Sequence, residues 1–323
     1  MAALTERSIT MPALICSTVI PTVGRTSLER AVESVLQQSI PGGDVEVLVI
    51  NDSGSRLGKA DWQRSERVQV IDTNRRERSI ARNTGATLAR GQYLHFLDDD
   101  DWLFPGAYQH LWRLSQNSHA KWLYGMTQLV DRQDQPTIRL RHGLLGNCFT
   151  QVMAGEWIPL QSSWIERKTF IRIGGFNPLL AGPEDIDLLR RVLLEEELVE
   201  TPNMISHVIM GGEGSTTNYY RHPQASRMAR EAILERSNTY EKMHSSAVDP
   251  SWRGRILRIY LTSIVWNLQH RRLFTAANRA FFSLASLLNS GKDIFTQKFW
   301  RSVSRPYASI TFERGFQDTR YGE

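Results

Sequence analysis

Cysteine is nearly absent from this chain, with only Cys16 and Cys148 among its 323 residues. They lie far apart and form no CxxC or Cys/His pattern, so neither a disulfide framework nor a thiolate zinc site is indicated, and a reducing cytoplasm is the expected setting. Long apolar runs are missing too. No stretch reaches the roughly 20 residues that a spanning helix needs, and the polar opening with Glu6 and Arg7 has no apolar signal core, so an integral membrane protein is not expected. Dense basic blocks are also lacking. Although the net charge is +5 and the pI near 9.3, no nucleic-acid signature accompanies the excess. It suits some other anionic partner: a nucleotide, a phospholipid surface or an acidic glycan.

What is present is an alternation of strands and helices. Apolar runs at 14–20 and 45–50 end at Pro21 and at Asn51-Asp52-Ser53-Gly54, and read as buried strands stopping at polar loops. Between them Leu28, Ala31, Val32, Val35 and Leu36 recur at helical spacing, which makes a strand, helix, strand unit and hence a parallel sheet. A strand at 68–72, a helix over 79–90 and a strand at 93–97 follow, and the last runs into Asp98-Asp99-Asp100-Asp101. Ligands of open parallel sheets bind beyond the carboxyl ends of the strands, so these loops are the expected site. Mixed strands and loops are read over 122–166, and Glu184-Asp185-Ile186-Asp187 opens a helix through 194. Composition then turns basic and helical, and two units are expected, 1–230 and 231–323.

Four consecutive carboxylates repel one another and raise their neighbours' pKa values, so something should neutralise them. A hard cation such as Mn2+ or Mg2+ prefers carboxylate oxygens, and Asp98, Asp100 and Asp101 are the expected ligands. The same run would also serve as a solvated loop capping a helix near Trp102.

The motif set Asn51-Asp52-Ser53-Gly54, Ala81-Arg82-Asn83, Phe96-Leu97-Asp98-Asp99-Asp100-Asp101, Gly174-Gly175-Phe176 and Glu184-Asp185 resembles a family 2 glycosyltransferase of the GT-A fold. The likeness runs over about residues 12–220, and departs from the family's acidic pair where Asn51 replaces the first acid. It implies an α/β fold with a mixed, mainly parallel sheet flanked by helices and followed by a C-terminal helical appendage. It also implies inverting transfer of a sugar from a nucleotide diphosphate donor to a hydroxyl acceptor, with metal assistance.

On that resemblance, Thr18, Ile20, Pro21, Asp52, Arg78, Arg82, Asp98 and Asp99 bind the donor, and Asp52 accepts from the imide N–H of uracil or thymine, favouring UDP- or dTDP-sugars. Asp185 is the expected base, with Glu184 beside it raising its pKa. Trp157 and Trp164 flank the acceptor cleft, each with a core position as the alternative. His207 and the loop 211–217 close over the donor. That loop lacks the Gly-Lys-Ser/Thr ending of a P-loop, and residues 21–25 are too sparse for a nucleotidyltransferase loop. The acceptor is expected to be a glycan, a polysaccharide or a lipid-linked sugar.

Helices over 252–270 and 272–288 read as a hairpin packed on the catalytic unit. A second reading of their basic and tryptophan residues is peripheral contact with an anionic membrane. The functional alternative is an inactive nucleotide-sugar-binding scaffold of the same fold. Against it, a chain without turnover has little use for a costly charge cluster.

Overall fold

The computed structural model describes residues 13–74, 77–180, 182–209 and 223–305. The chain opens with β1 (Ala13–Thr22), α1 (Leu28–Leu36), β2 (Gly43–Asn51), β3 (Val68–Asp72), α2 (Arg78–Leu88) and β4 (Tyr93–Phe96). Next come β5 (Trp102–Leu103), α3 (Ala107–Gln116), β6 (Trp122–Val130), β7 (Pro136–Leu140) and α4 (Phe149–Ala154). Then follow β8 (Ser163–Glu166), α5 (Arg167–Ile173), α6 (Glu184–Leu193) and β9 (Leu198–Ile209). The C-terminal helices are α7 (Pro223–Leu234), α8 (Thr239–Ser246), α9 (Pro250–Gln269), α10 (Leu273–Asn289) and α11 (Gln297–Ser304).

The strands form one sheet in the order β3-β2-β1-β4-β8-β6-β9-β5, with β7 paired to β6. Its first four strands run parallel, whereas β8 is antiparallel to both β4 and β6. The α/β architecture expected from the sequence is therefore present, including the parallel half and a helical C-terminal region. Strand residues alternate between faces, and both faces are covered. Val19, Leu48, Ile50, Leu94 and Phe96 join one buried cluster with α2, α4 and α6. Ile20, Val47, Val49, Tyr93 and Leu97 join the other, with α1 and α3.

This topology positions the site. In β2-β1-β4 the register sets Thr22 beside Asn51 and Val19 beside Phe96, so the loops carrying Asp52 and Asp98 leave the same sheet edge. Because β8 is antiparallel to β4, with His95 opposite Trp164, the turn entering β8 reaches that edge and brings Gln161 there.

The expected unit boundary at 230/231 falls inside α7. Ile233, Leu234, Met243, Ala247, Ile256, Ile259 and Tyr260 share one cluster with Phe149, Val152 and Met153 of α4. Thr150 adds polar joints, its hydroxyl donating to the Met243 carbonyl at 2.6 Å and its N–H to Ser246 Oγ at 3.0 Å. A hairpin packed on the rest of the chain is thus the arrangement found, with one core running through both halves. Among the described residues no helix is long and apolar enough to cross a membrane.

Candidate active site

Helix α2 starts where Glu77 folds its carboxylate back onto the N–H groups of Ser79 and Ile80, at 3.0 and 2.7 Å, satisfying donors that a helix start leaves open. From the first and second turns of α2, Arg78 and Arg82 point the same way, toward the opening of α6. Arg82 is 1% exposed. Its Nη2 donates to Asp98 at 2.7 Å, while Nη1 lies 3.4 Å from Glu184 and 3.3 Å from Asp185. Arg78 adds a contact to Glu184 at 3.6 Å. The guanidinium of Arg82 is therefore a brace between the acidic strand-end loop and the acidic start of α6.

Two further motifs support that brace. Asn83 receives the N–H of Phe176 at 2.9 Å and donates to its carbonyl at 2.8 Å, clamping the segment after α5 onto α2. Gly175 is needed there, because its φ is +64° and a Cβ would come within 2.6 Å of Asn83 Oδ1. Phe176 then lies under Arg82, 5.3 Å from the guanidinium to the ring centre. Asp187 holds Arg191 at 2.7 Å, and Arg191 caps the carbonyls of Ile173 and Gly175 at 2.9 and 2.7 Å.

The four aspartates divide their work. Asp99 is buried, accepting from Thr22 and Arg25, each at 2.5 Å. Asp98 accepts from Arg82 and from Gln161, the latter at 3.1 Å. Asp101 accepts from the N–H of Ile209 at 2.9 Å, and the Asp100 carboxylate has a 3.4 Å contact to Arg25. Asp98, Asp100 and Asp101 each bring a carboxylate oxygen within 4.8 Å of the others.

Their protonation reflects the crowding. Burial would raise the Asp98 carboxyl, but Arg82 holds it below the ordinary range. Burial and then the Asp98 charge push Asp100 up to about 6, and the same causes, with Asp100 added, raise Asp101 strongly. At the start of α6, desolvation by the surrounding protein and then the Glu184 charge lift Asp185 to about 7, against the pull of Arg82. Glu184 itself is 1% exposed and one of its oxygens has no hydrogen-bond partner among the described residues, whereas the Asp185 side chain is 41% exposed. The group that can meet a ligand is Asp185.

Other expected site residues have the following surroundings. Thr18 and Ile20 present no surface: Thr18 bonds the Tyr108 hydroxyl inside the sheet, Ile20 is in the core, and β1 is paired on both sides. Pro21 is half-buried at the strand end. Trp164 is a correction as an acceptor contact, being fully buried and stacked on Tyr93 at 5.4 Å. Trp157 packs partly buried against the core, edge-on to His142. Asp52 is buried and accepts from Thr73 Oγ1 at 2.7 Å and from the Glu77 N–H at 2.6 Å, so it joins β2 to the start of α2. His207 is sandwiched against Trp102 and Phe104, and burial followed by Arg30 lowers its pKa to about 4. The loop 211–217 lies outside the described residues. The structure adds Thr22, Arg25 and Gln161 as partners of the acidic loop; no pattern in sequence marks Gln161, which is brought in by strand pairing alone.

The family model described as Glycosyl transferase family 2 matches residues 17–178, half of the chain. The chain belongs to glycosyl transferase family 2. An uncharacterized glycosyltransferase of Haemophilus influenzae is 28% identical over 195 residues, covering 55% of this chain and 62% of that protein. The poly(ribitol-phosphate) beta-N-acetylglucosaminyltransferase TarP of Staphylococcus aureus is 27% identical over 115 residues, covering 34% of this chain and 35% of TarP. The chain thus matches less than two thirds of either relative's length. In structure, S. aureus TarS 1–349 in complex with UDP-GlcNAc superposes with a TM-score of 0.59 at 11% identity, covering 82% of this chain and 90% of that one. That likeness shows a shared GT-A-type fold. The family 2 motifs Ala81-Arg82-Asn83, the Asp98–Asp101 run and Gly174-Gly175-Phe176 all fall within or at the edge of the matched segment.

Proposed function

We propose that this chain is an inverting, metal-assisted glycosyltransferase that moves a sugar from a UDP- or dTDP-linked donor to a hydroxyl acceptor on a glycan or a lipid-linked saccharide. The observation that carries the reading is the double reach of Arg82, which holds Asp98 and Asp185 on opposite sides of one guanidinium. A loop suited to diphosphate and a carboxylate suited to proton removal are thereby kept in one place. Family membership supports transfer as the reaction, and the fold likeness to a structure holding UDP-GlcNAc supports a uridine donor.

The acidic loop fits a divalent ion. Three converging carboxylates, two with raised pKa values, are a donor set whose mutual repulsion a hard cation would relieve. Asp98, Asp100 and Asp101 would hold Mn2+ or Mg2+, which supplies neutralisation of charge on the departing diphosphate. Asp52 accepts the imide N–H of the base with lone pairs that its two internal bonds leave over.

In the reaction Asp185 takes the proton of the acceptor hydroxyl. The hydroxyl oxygen forms a bond to the anomeric carbon as the bond from that carbon to the phosphate oxygen breaks. The electron pair leaves with the nucleoside diphosphate, and one displacement inverts the centre. Arg82 keeps Asp185 aimed, and Glu184 acts through its charge on Asp185 and its hold on both arginines. Incubation of the chain with UDP- and dTDP-sugars, with Mn2+ or with EDTA, tests this: metal-dependent release of nucleoside diphosphate is expected, and none with any donor would refute it.

A further inference from the structure

Helix α10 is amphipathic the wrong way round for a helix packed on a protein core. Its buried positions include Arg279, Ser283 and Ser286. Its exposed positions include Phe274 at 95%, Phe281 at 66%, Leu284 at 57% and Leu288 at 73%. With exposed Ala277, the spacing 274, 277, 281, 284, 288 is one continuous face. At 1.5 Å per residue the stripe is about 21 Å long.

The inward polar face meets α7 and α9. Glu231 accepts from Ser263 at 2.6 Å and from Asn267 at 3.0 Å, and Arg279 lies 3.6 Å from it. That buried network sets the rotation of α10 and turns Phe274 and Phe281 outward, while Phe282 packs inward against Tyr240 and Tyr260. The preceding helix exposes Leu261, Val265 and Leu268, and beyond α10 stand Phe295 at 85% and Trp300 at 50%. An apolar surface of this extent on a single chain marks an interaction site.

Charge identifies the partner. Residues 250–304 carry nine arginines and lysines against a single acid, Asp293, and Asp293 is bound to Arg253 at 2.8 Å. Exposed Arg271 and Arg272 stand at the start of the stripe and exposed Lys292 just past its end. Nearby acids offset part of this, Glu235 pairing with Arg272 and Asp249 with Lys298, but the surface stays cationic. A second copy laid antiparallel on the stripe would set Arg271 and Arg272 against Lys292, like against like. Apolar side chains bordered by cations instead match a bilayer with anionic headgroups, into which such a face sinks by about 5–10 Å.

We propose that the exposed face of α10, with Phe295 and Trp300, docks the chain peripherally on an anionic lipid bilayer. The proposal stands on the C-terminal helices alone and does not depend on the transfer reaction. It is tested on the full chain by sedimentation with vesicles of phosphatidylglycerol and phosphatidylcholine, or phosphatidylcholine alone. Binding at least tenfold stronger to the anionic vesicles is expected, weakened by salt, and reduced at least tenfold by Phe274→Glu with Phe281→Glu and, separately, by Arg271→Glu with Lys292→Glu.

A second readout guards against misfolding of those variants. Cys16 and Cys148 are buried, so Phe281→Cys accepts an environment-sensitive dye at one place, whose emission should shift to the blue with anionic vesicles. No binding of the full chain, no shift of the dye, or binding unchanged by the glutamate pairs would overturn the proposal. So would light scattering that shows a dimer which Phe281→Glu separates, since the stripe would then belong to a second copy.

Discussion

Arg82 and Asp98 meet at 2.7 Å in a pair whose arginine is sealed from solvent, and the other arm of the same guanidinium touches Glu184 and Asp185. Removing this buried cation takes the ion pair from Asp98 and Asp185 and leaves Glu184 only the 3.6 Å contact to Arg78. Breaking a buried pair from one side costs about 3–5 kcal/mol. Arg82→Ala should therefore lower the urea-unfolding free energy by about that amount. Arg82→Lys should also fall short, since an ammonium has no planar fork to span two loops. A loss below about 1 kcal/mol for the alanine variant would remove the arginine from its bracing role.

Asp185 gives a prediction in rate. Without a carboxylate to receive the hydroxyl proton, Asp185→Asn should lose about 10²–10⁴ in turnover while donor affinity by calorimetry stays near wild type. The pH profile has a definite sign. Desolvation by the surrounding protein and then Glu184 raise the Asp185 pKa to about 7, and the base must be ionised, so the rate should climb as pH rises through about 7. Glu184→Gln removes the neighbouring negative charge and should move that rising limb to lower pH. A limb that stays in place would show that Glu184 does not set it.

The acidic loop makes the chain's stability depend on metal and pH together. Asp100 is raised to about 6 and Asp185 to about 7 in the folded state, both from 3.8. Between about pH 4 and 7 these two carboxyls therefore hold more protons in the folded chain than in the unfolded one, and their contribution to stability should fall as pH rises across that window. Its sign is opposite to that of His95, His142, His207 and His244, which burial lowers to about 4. Mn2+ should restore stability, by about 2.7 kcal/mol at a hundred times its dissociation constant. Asp100→Asn should be more stable than wild type without metal at pH 8 and should gain little from Mn2+. Thermal melts with and without EDTA measure both effects, and an equal Mn2+ shift in the variant would take Asp100 out of the ligand set.

Much of this site is legible in sequence because its parts are contiguous runs at strand ends. The acidic run, the Glu184-Asp185 pair and the helix bearing Arg82 need only local periodicity to be found. What periodicity does not reveal is partnership across the sheet. Gln161 reaches Asp98 because β8 runs against β4, and Thr22 reaches Asp99 because β1 and β4 are neighbours. Arg78 and Arg82 look equivalent as two basic residues four apart, yet burial separates them: one is sealed beneath the acids and the other half exposed. Trp164 and Thr18 mislead for a related reason, since a sheet buried on both faces hides residues that loop motifs merely flank. The long β9, the helices α7 and α8 and the core shared across residue 230 also depend on tertiary packing.

The glycine of the Ala81-Arg82-Asn83 segment's helix yields the last prediction. Gly85 lies one turn beyond Ala81 on the face of α2 that crosses β1 and β2, and a Cβ there would stand 2.4 and 2.9 Å from the two methyls of Val19 and 3.2 Å from Ile50. In a helix interior, alanine is ordinarily favoured over glycine by about 1 kcal/mol, so on propensity alone the substitution should stabilise. Here the close approach decides the sign. Val19 is fully buried and flanked by paired strands on both sides, so it cannot retreat, and overpacking of this kind costs about 1–3 kcal/mol. Gly85→Ala should therefore destabilise the chain and, by lifting α2 from the sheet, loosen Arg82 from Asp98. Gly85→Ala combined with Val19→Ala, which vacates the methyls, should recover part of the loss; a double variant that shows only the sum of the two single losses would show that the clash is not what keeps glycine there.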